Sequence, residues 1–245
     1  MKKSACFVVF ICAVVVLFAG NARGDVPLDD IHFPDENFRA YVMHTFDWNG
    51  DGSLSDYEIS KAEYVNLNES TYAVHYVESL KGIEYFTALK SLYCEFSGLV
   101  TLDLSHNTAL ESLICSFNRL TSLNVSGCKS LRTLYCNYNQ LTSLNLSGCP
   151  ALVNLSCSYN QLTSLNVSGT ALTTMNADCN YIKNLTLNDS LSWIHSAMSV
   201  SGLAKTGLNR CYGNYIGAEL SGLVINAAQP PENDPTKWYQ INLNS

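Results

Sequence analysis

Residues in this chain recur every 21 positions, and that period constrains its fold more than any other feature. Leu92, Leu113, Leu134 and Leu155 are 21 apart, and so are Leu99, Leu120, Leu141 and Leu162. Leu102, Leu123, Leu144 and Leu165 keep the same step, as do Leu104, Val125, Leu146 and Val167. Asn118, Asn139 and Asn160 form a polar series at that interval. The next unit is one residue shorter and continues through Leu172, Met175, Ala177, Asn180, Ile182, Leu185 and Leu187. A short unit of this kind cannot bury its apolar face alone. Stacking of successive units makes the core, and the ends of the stack need caps.

Leu110-x-x-Leu113-x-Cys115-x-x-Asn118-x-Leu120 fits the leucine-rich-repeat core pattern, and residues 131–141 and 152–162 fit it equally well. Leu113 and Cys115 are two apart and point inward from a short strand. Asn118 turns the chain, and a stack of such amides can satisfy backbone groups that the turn would bury. The return segment, Leu120–Val125, has no helical periodicity and reads as extended. Before the regular units, Ile83 sits six residues ahead of Leu89 as Leu104 does ahead of Leu110, and Val65 and Leu67 mark a first, atypical strand.

The cysteines follow the period. Cys94, Cys115, Cys136 and Cys157 are 21 apart, as are Cys128 and Cys149. Recurrence at one repeat position points to small buried thiols, with a Cys128–Cys149 bridge between neighbouring coils as the alternative. Cys179 is the one evident partner for Cys211. No zinc-type cysteine spacing occurs.

Residues 1–24 read as an export leader. Lys2-Lys3 precede 15 apolar residues, Ala5–Ala19, and small residues follow. No second run of that kind occurs, so no membrane span is expected after cleavage. Loss of Lys2, Lys3 and Arg23 leaves 11 basic against 21 acidic residues, a net charge of −10. That balance, without a basic patch, argues against nucleic acid as a partner.

Residues 47–58, Asp-Trp-Asn-Gly-Asp-Gly-Ser-Leu-Ser-Asp-Tyr-Glu, match the EF-hand calcium loop D-x-[DN]-x-[DN]-G-x5-E. Ca2+ needs many oxygens, and this spacing supplies them. Asp47, Asn49 and Asp51 offer side-chain oxygens, Ser53 its carbonyl, Ser55 the position often bridged by water, and Glu58 both carboxylate oxygens. Gly52 permits the sharp turn. Phe38, Val42 and Phe46 mark an entry helix starting near Pro34-Asp35, and an exit helix is expected from Ser55 or Asp56. Only one such loop occurs. It is expected to pack on the first repeat as a calcium-stiffened cap, with a Kd on the order of 10⁻⁴–10⁻³ M.

The stretches Leu-Thr-Ser-Leu-Asn-Val/Leu-Ser-Gly-Cys (120–128, 141–149) and Leu-Lys-Gly-Ile-Glu-Tyr-Phe-Thr-Ala-Leu (80–89) resemble exported bacterial leucine-rich-repeat proteins of internalin type. The resemblance spans residues 32–187 and implies a curved solenoid that binds host or cell-surface molecules. The chain lacks the LPxTG wall-sorting motif of the internalins proper.

The expected fold is a leucine-rich-repeat solenoid, mostly β with little convex helix. Its expected parts are a leader (1–24), a small helical EF-hand cap (25–64), about five repeats (65–187) and a short β cap or partial β module (188–245), with strands at Leu220–Ile225 and Trp238–Leu243. On the concave strand face the outward residues Tyr93, Ile114 and Tyr135 form the candidate ligand-binding patch. The Phe96, Phe117, Tyr138, Tyr159 column flanks the Asn series. The leading function is a secreted or cell-surface, calcium-stabilised recognition module for a protein or glycan partner, without catalysis. A self-associating envelope protein is the alternative. A carbohydrate-active enzyme is third, because Asp178 falls coils away from Glu95 and Glu111. No G-x-S-x-G, H-E-x-x-H or phosphate-loop motif is present.

Overall fold

A computed structural model describes residues 24–68, 76–177, 179–182, 184–186 and 224–226. The expected leader up to Arg23, Asp178, Cys211 and the expected strand at Trp238–Leu243 lie outside these residues. The fold is a leucine-rich-repeat solenoid, mostly β, with a small helical N-terminal part. Among the described residues no helix is long and apolar enough to cross a membrane.

The N-terminal part contains β1 (Val26–Pro27), α1 (Glu36–Phe46), β2 (Ser53–Leu54) and α2 (Asp56–Lys61). Asp35 caps α1, accepting from the backbone N–H groups of Asn37 and Phe38. Phe38, Val42 and Phe46 then fall on one buried stripe, as their spacing of four requires. Ser55 caps α2 in a reciprocal capping box with Glu58.

This part is continuous with the core of the repeats. The Phe46 and Phe86 rings lie 5.3 Å apart, and Phe33 packs against Phe38, Tyr85 and Phe86. The second oxygen of Asp35 accepts from the N–H groups of Glu78 and Ser79, at 2.7 and 3.0 Å. One carboxylate therefore caps the helix and ties it to the first coil.

The repeats build one parallel six-stranded sheet from β3 (Tyr64–Asn66), β4 (Ser91–Tyr93), β6 (Ser112–Ile114), β8 (Thr133–Tyr135), β9 (Asn154–Ser156) and β11 (Thr174–Asn176). Each strand places one leucine-type residue inward: Val65, Leu92, Leu113, Leu134, Leu155 and Met175 are all buried. The return segments form smaller parallel pairings. β5 (Thr101–Asp103) pairs with β7 (Ser122–Asn124), and β10 (Ser164–Asn166) pairs with β12 (Asn184–Thr186), which pairs with β13 (Val224–Asn226). One short 3-10 turn, Ile83–Tyr85, is the only helix among the described residues of the repeats.

Two side-chain columns close the turns. In the first, Asn118 Oδ1 accepts from Leu99 N–H, Asn139 from Leu120, Asn160 from Leu141 and Asn180 from Leu162, at 2.9–3.1 Å. Their Nδ2 groups donate to carbonyls of their own coil and the preceding one. In the second column, Cys128 and Cys149 donate S–H to the buried carbonyls of Leu104 and Val125, 3.3 and 3.4 Å away. Asn107 occupies the same repeat position and donates to the Ile83 and Phe86 carbonyls.

Cys94, Cys115, Cys136 and Cys157 line the core, and neither they nor Cys128 and Cys149 form a disulfide. Burial pushes the thiols of Cys94, Cys115, Cys128, Cys136 and Cys149 up from their ordinary value. Cys149 reaches about 11, and Cys128, which also feels Cys149, about 12. Coils approach closely at Gly127, where a Cβ would lie 1.9 Å from the Ser105 carbonyl oxygen, so no larger residue fits without a shift.

Candidate functional sites

The loop between α1 and α2, with the first turn of α2, holds all six expected metal ligands in one stretch. Gly50 and Gly52 adopt φ of 71° and 81°, a left-handed backbone that glycine takes without cost. These turns wrap the loop around its own first carboxylate. Asp47 accepts from the N–H groups of Gly50, Asp51 and Gly52, at 2.9–3.2 Å. Asn49 donates to Asp51, and Asp51 accepts from Ser53 N–H. Glu58 reaches back from α2, only 3 % exposed, and accepts from Trp48 N–H, Ser55 N–H and Ser55 Oγ at 2.7–2.9 Å. Burial pushes the Glu58 carboxyl up, and these donors, with the backbone of Asn49, more than offset it, leaving it below its ordinary value.

Among the described residues no three acidic, histidine or cysteine groups converge on one point. The carboxylates rest on the loop's own N–H groups. The donor set nevertheless suits a hard cation: three carboxylates, an amide, a hydroxyl and a carbonyl, with no nitrogen or sulfur ligand. Glu58 is buried without a cationic partner among the described ion pairs, and a buried carboxylate gains most from added positive charge.

The strand β2 at the end of this loop pairs antiparallel with β1, Val26 opposite Leu54 and Pro27 opposite Ser53. Leu28 N–H donates to the Gly52 carbonyl at 3.0 Å. Val26, Leu28 and Leu54 are buried. The N-terminal segment thus pairs with the strand at the end of this loop.

The second candidate is the outer face of the six-stranded sheet. Parallel register places Asn66, Tyr93, Ile114, Tyr135, Ser156 and Asn176 side by side on successive strands, at a spacing of about 4.8 Å. Tyr93 and Ile114 are half-buried and Tyr135 is 38 % exposed. The register therefore brings the three expected ligand-binding residues into one continuous patch. Tyr64 extends it, with its ring 5.5 Å from that of Tyr93. Sequence reading missed Tyr64 because its strand lies 27 residues before β4, outside the 21-residue step.

The aromatic column beside the sheet has a different character. Phe96, Phe117, Tyr138 and Tyr159 stack with centroids 4.6, 4.4 and 4.2 Å apart and planes within 10–11°. All four adopt φ of 52–56°, a conformation that costs a non-glycine residue roughly 1–2 kcal/mol. Each ring–ring contact returns about 0.5–1.5 kcal/mol. The ring faces between neighbours are spent on the stack, so the column is a structural edge.

The comparisons with known proteins agree with this architecture. The family model for leucine-rich repeats in two copies matches residues 108–148 and 129–174. Internalin J of Listeria monocytogenes serotype 4b is 35% identical over 75 residues, 31% of this chain and 8% of that protein. A solved functional domain of internalin J from Listeria monocytogenes, described as including a cysteine ladder, superposes with a TM-score of 0.56 at 29% identity, over 75% of this chain and 37% of that one. This is an internalin-like leucine-rich-repeat chain. Its own cysteine column, Cys94 to Cys157, lines the core behind the strand face. Internalin C2 of the same species is 20% identical, with a TM-score of 0.46, over 85% of this chain and 100% of that one. This internalin-like chain spans less than half of the internalin J domain that it matches.

Proposed function

We propose that the chain is an exported recognition module, without catalytic activity, that binds a protein or glycan partner through the outer face of its six-stranded sheet. The observation that carries this is the in-register Tyr93–Ile114–Tyr135 row, extended by Tyr64. Exposed aromatic and aliphatic side chains held on a rigid sheet supply contact area at small entropic cost. Of the acidic residues near this face, Glu95 accepts from Asn68 Nδ2 at 3.2 Å, and among the described residues neither it nor Glu111 belongs to a cluster of three acidic, histidine or cysteine groups. The leader-like N-terminus and the likeness to internalin J support a secreted or surface location.

Ca2+ bound by Asp47, Asn49, Asp51, the Ser53 carbonyl, Ser55 and Glu58 stiffens the N-terminal cap in this reading. The ion supplies positive charge to carboxylates that otherwise share backbone N–H groups. Binding to the native state alone raises stability by mass action. The test is thermal unfolding of the mature chain in millimolar Ca2+ and in chelator. Wild type gains stability with Ca2+ and Glu58→Gln does not; equal melting temperatures of the two proteins in Ca2+ would refute the site. For the face, Tyr93→Ala with Tyr135→Ala loses binding to hits from a protein and glycan array, and undiminished binding would remove the assignment.

A further inference from the structure

The sheet face is not uniform. Toward the N-terminal strands it is aromatic and aliphatic, through Tyr64, Tyr93 and Ile114. From β8 to β11 it becomes a shallow cleft of about 260 Å³ whose eight lining residues carry no charge. Tyr135 forms one side, and Asn137, Asn154, Ser156, Thr174 and Asn176 supply amides and hydroxyls. The contrast with the cleft beside β5 is direct: that one, about 270 Å³, is lined by Lys81, Glu84, Asp103 and His106 among others.

The polar groups of the neutral cleft are held in place by one another. Asn137 Oδ1 accepts from Ser156 Oγ, Ser158 N–H and Ser158 Oγ at 2.6–2.9 Å. Thr174 Oγ1 donates to Asn154 Oδ1. Their side chains therefore present fixed donors and acceptors before any ligand arrives, which lowers the ordering cost of binding. An ionic ligand finds no counter-charge among these residues. A wholly apolar ligand would cover amides and hydroxyls without satisfying them, at a cost for each. A ligand dense in hydroxyls, each both donor and acceptor, with an apolar C–H face for the Tyr135 ring, satisfies both halves of the cleft.

We infer that the cleft between Tyr135 and Asn176 is a subsite for a neutral carbohydrate, with Tyr135 as the stacking platform and Asn137, Asn154, Ser156, Thr174 and Asn176 as the hydroxyl-reading groups. This rests on the sheet face being the recognition surface and narrows its ligand class. The aromatic row toward β4 lies outside the subsite, on the surface that continues from it.

The test uses the mature chain and neutral tetrasaccharides of mannose, glucose, galactose and N-acetylglucosamine, with sialylated and sulfated glycans alongside, by array and then by calorimetry. At least one neutral tetrasaccharide binds. Thr174→Val and Asn176→Ala each weaken it about tenfold, the scale of one lost hydrogen bond in a desolvated site. Tyr135→Ala weakens it as well, whereas His106→Ala, in the charged cleft beside β5 and away from this face, leaves it within about twofold. Both polar positions are on the outer side of β11, so unchanged melting temperatures show that the variants fold. Binding only of charged glycans, binding of none, or neutral-sugar binding indifferent to Thr174, Asn176 and Tyr135 would each overturn the inference. If instead a protein ligand binds and depends on Tyr93 and Tyr135, the recognition face stands and only the carbohydrate assignment falls. If nothing binds through the face, both fall.

Discussion

The asparagine column predicts a difference between two chemically identical substitutions. Asn139 sits inside the column. Its Oδ1 is the acceptor for Leu120 N–H, and its Nδ2 donates to the Cys115 and Cys136 carbonyls. Those carbonyls have second donors: Asn118 also serves Cys115, and Asn160 also serves Cys136. Asn139→Ala therefore strands one buried group, the Leu120 N–H. Asn118 stands at the start of the column. It accepts from Leu99 N–H, and its Nδ2 serves the Cys94 carbonyl, for which no earlier asparagine provides a second donor. Asn118→Ala therefore strands two groups. At about 1–3 kcal/mol for each stranded group, Asn139→Ala costs about 1–3 kcal/mol and Asn118→Ala about 2–6 kcal/mol. The side chains are equally buried, so the cavity contribution is common to both. In a chain of this size each kcal/mol lowers Tm by about 2–4 °C. Differential scanning calorimetry, checked by urea unfolding, reads the difference. Equal losses, or a larger loss at Asn139, would refute the shared-carbonyl reasoning.

Two further outcomes follow from the same structure. Leu28→Pro removes the N–H that holds the Gly52 carbonyl and lowers Ca2+ affinity by about tenfold in calorimetric titration; Leu28→Ala, which keeps that N–H, lowers it less. Stability also falls as pH rises above about 9. The unfolded thiols ionise near their ordinary value of about 8.5, whereas the buried ones hold their protons until about 11 for Cys149 and about 12 for Cys128. The unfolded state thus binds fewer protons in that window, and the stabilisation complete below it is lost through it. Urea midpoints at pH 7.5 and pH 10 measure the loss.

Much of this architecture was legible in the sequence because the period fixes register. Once Leu92, Leu113, Leu134 and Leu155 are aligned, strand alternation decides that Tyr93, Ile114 and Tyr135 share the outer face. The entry helix and its cap were legible for the same reason, since Asp35 and the Phe38–Val42–Phe46 stripe are local signals. Features that depend on contacts between aperiodic segments were not. The β1–β2 pairing involves two residues per strand, too few for an alternation to show. The left-handed backbone at Phe96, Phe117, Tyr138 and Tyr159 contradicts the usual preference for glycine or asparagine there; stacking between coils offsets part of its cost, and Cys179 adopts it without a ring, at φ of 54°. The thiols of Cys128 and Cys149 read as small apolar fillers, whereas the geometry shows that they also donate to carbonyls of the coil before.

The inter-coil bonds of the asparagine and cysteine columns join residues separated by almost constant sequence intervals. Asn139 reaches 24 residues back to Cys115, Asn160 24 back to Cys136, and Cys149 24 back to Val125. Such a molecule can change length only in quanta. Excision of one whole unit, residues 118–138, would bring Asn139 into the place of Asn118 and hand it the Leu99 N–H and the Cys94 carbonyl. An excision one residue longer or shorter would offset every such bond beyond the junction. Gene duplication and unequal exchange at this spacing would thus yield proteins already satisfied in their hydrogen bonding. They would differ in how many rows of the outer face they present, so the breadth of the recognised surface can evolve separately from the stability of the coil that carries it.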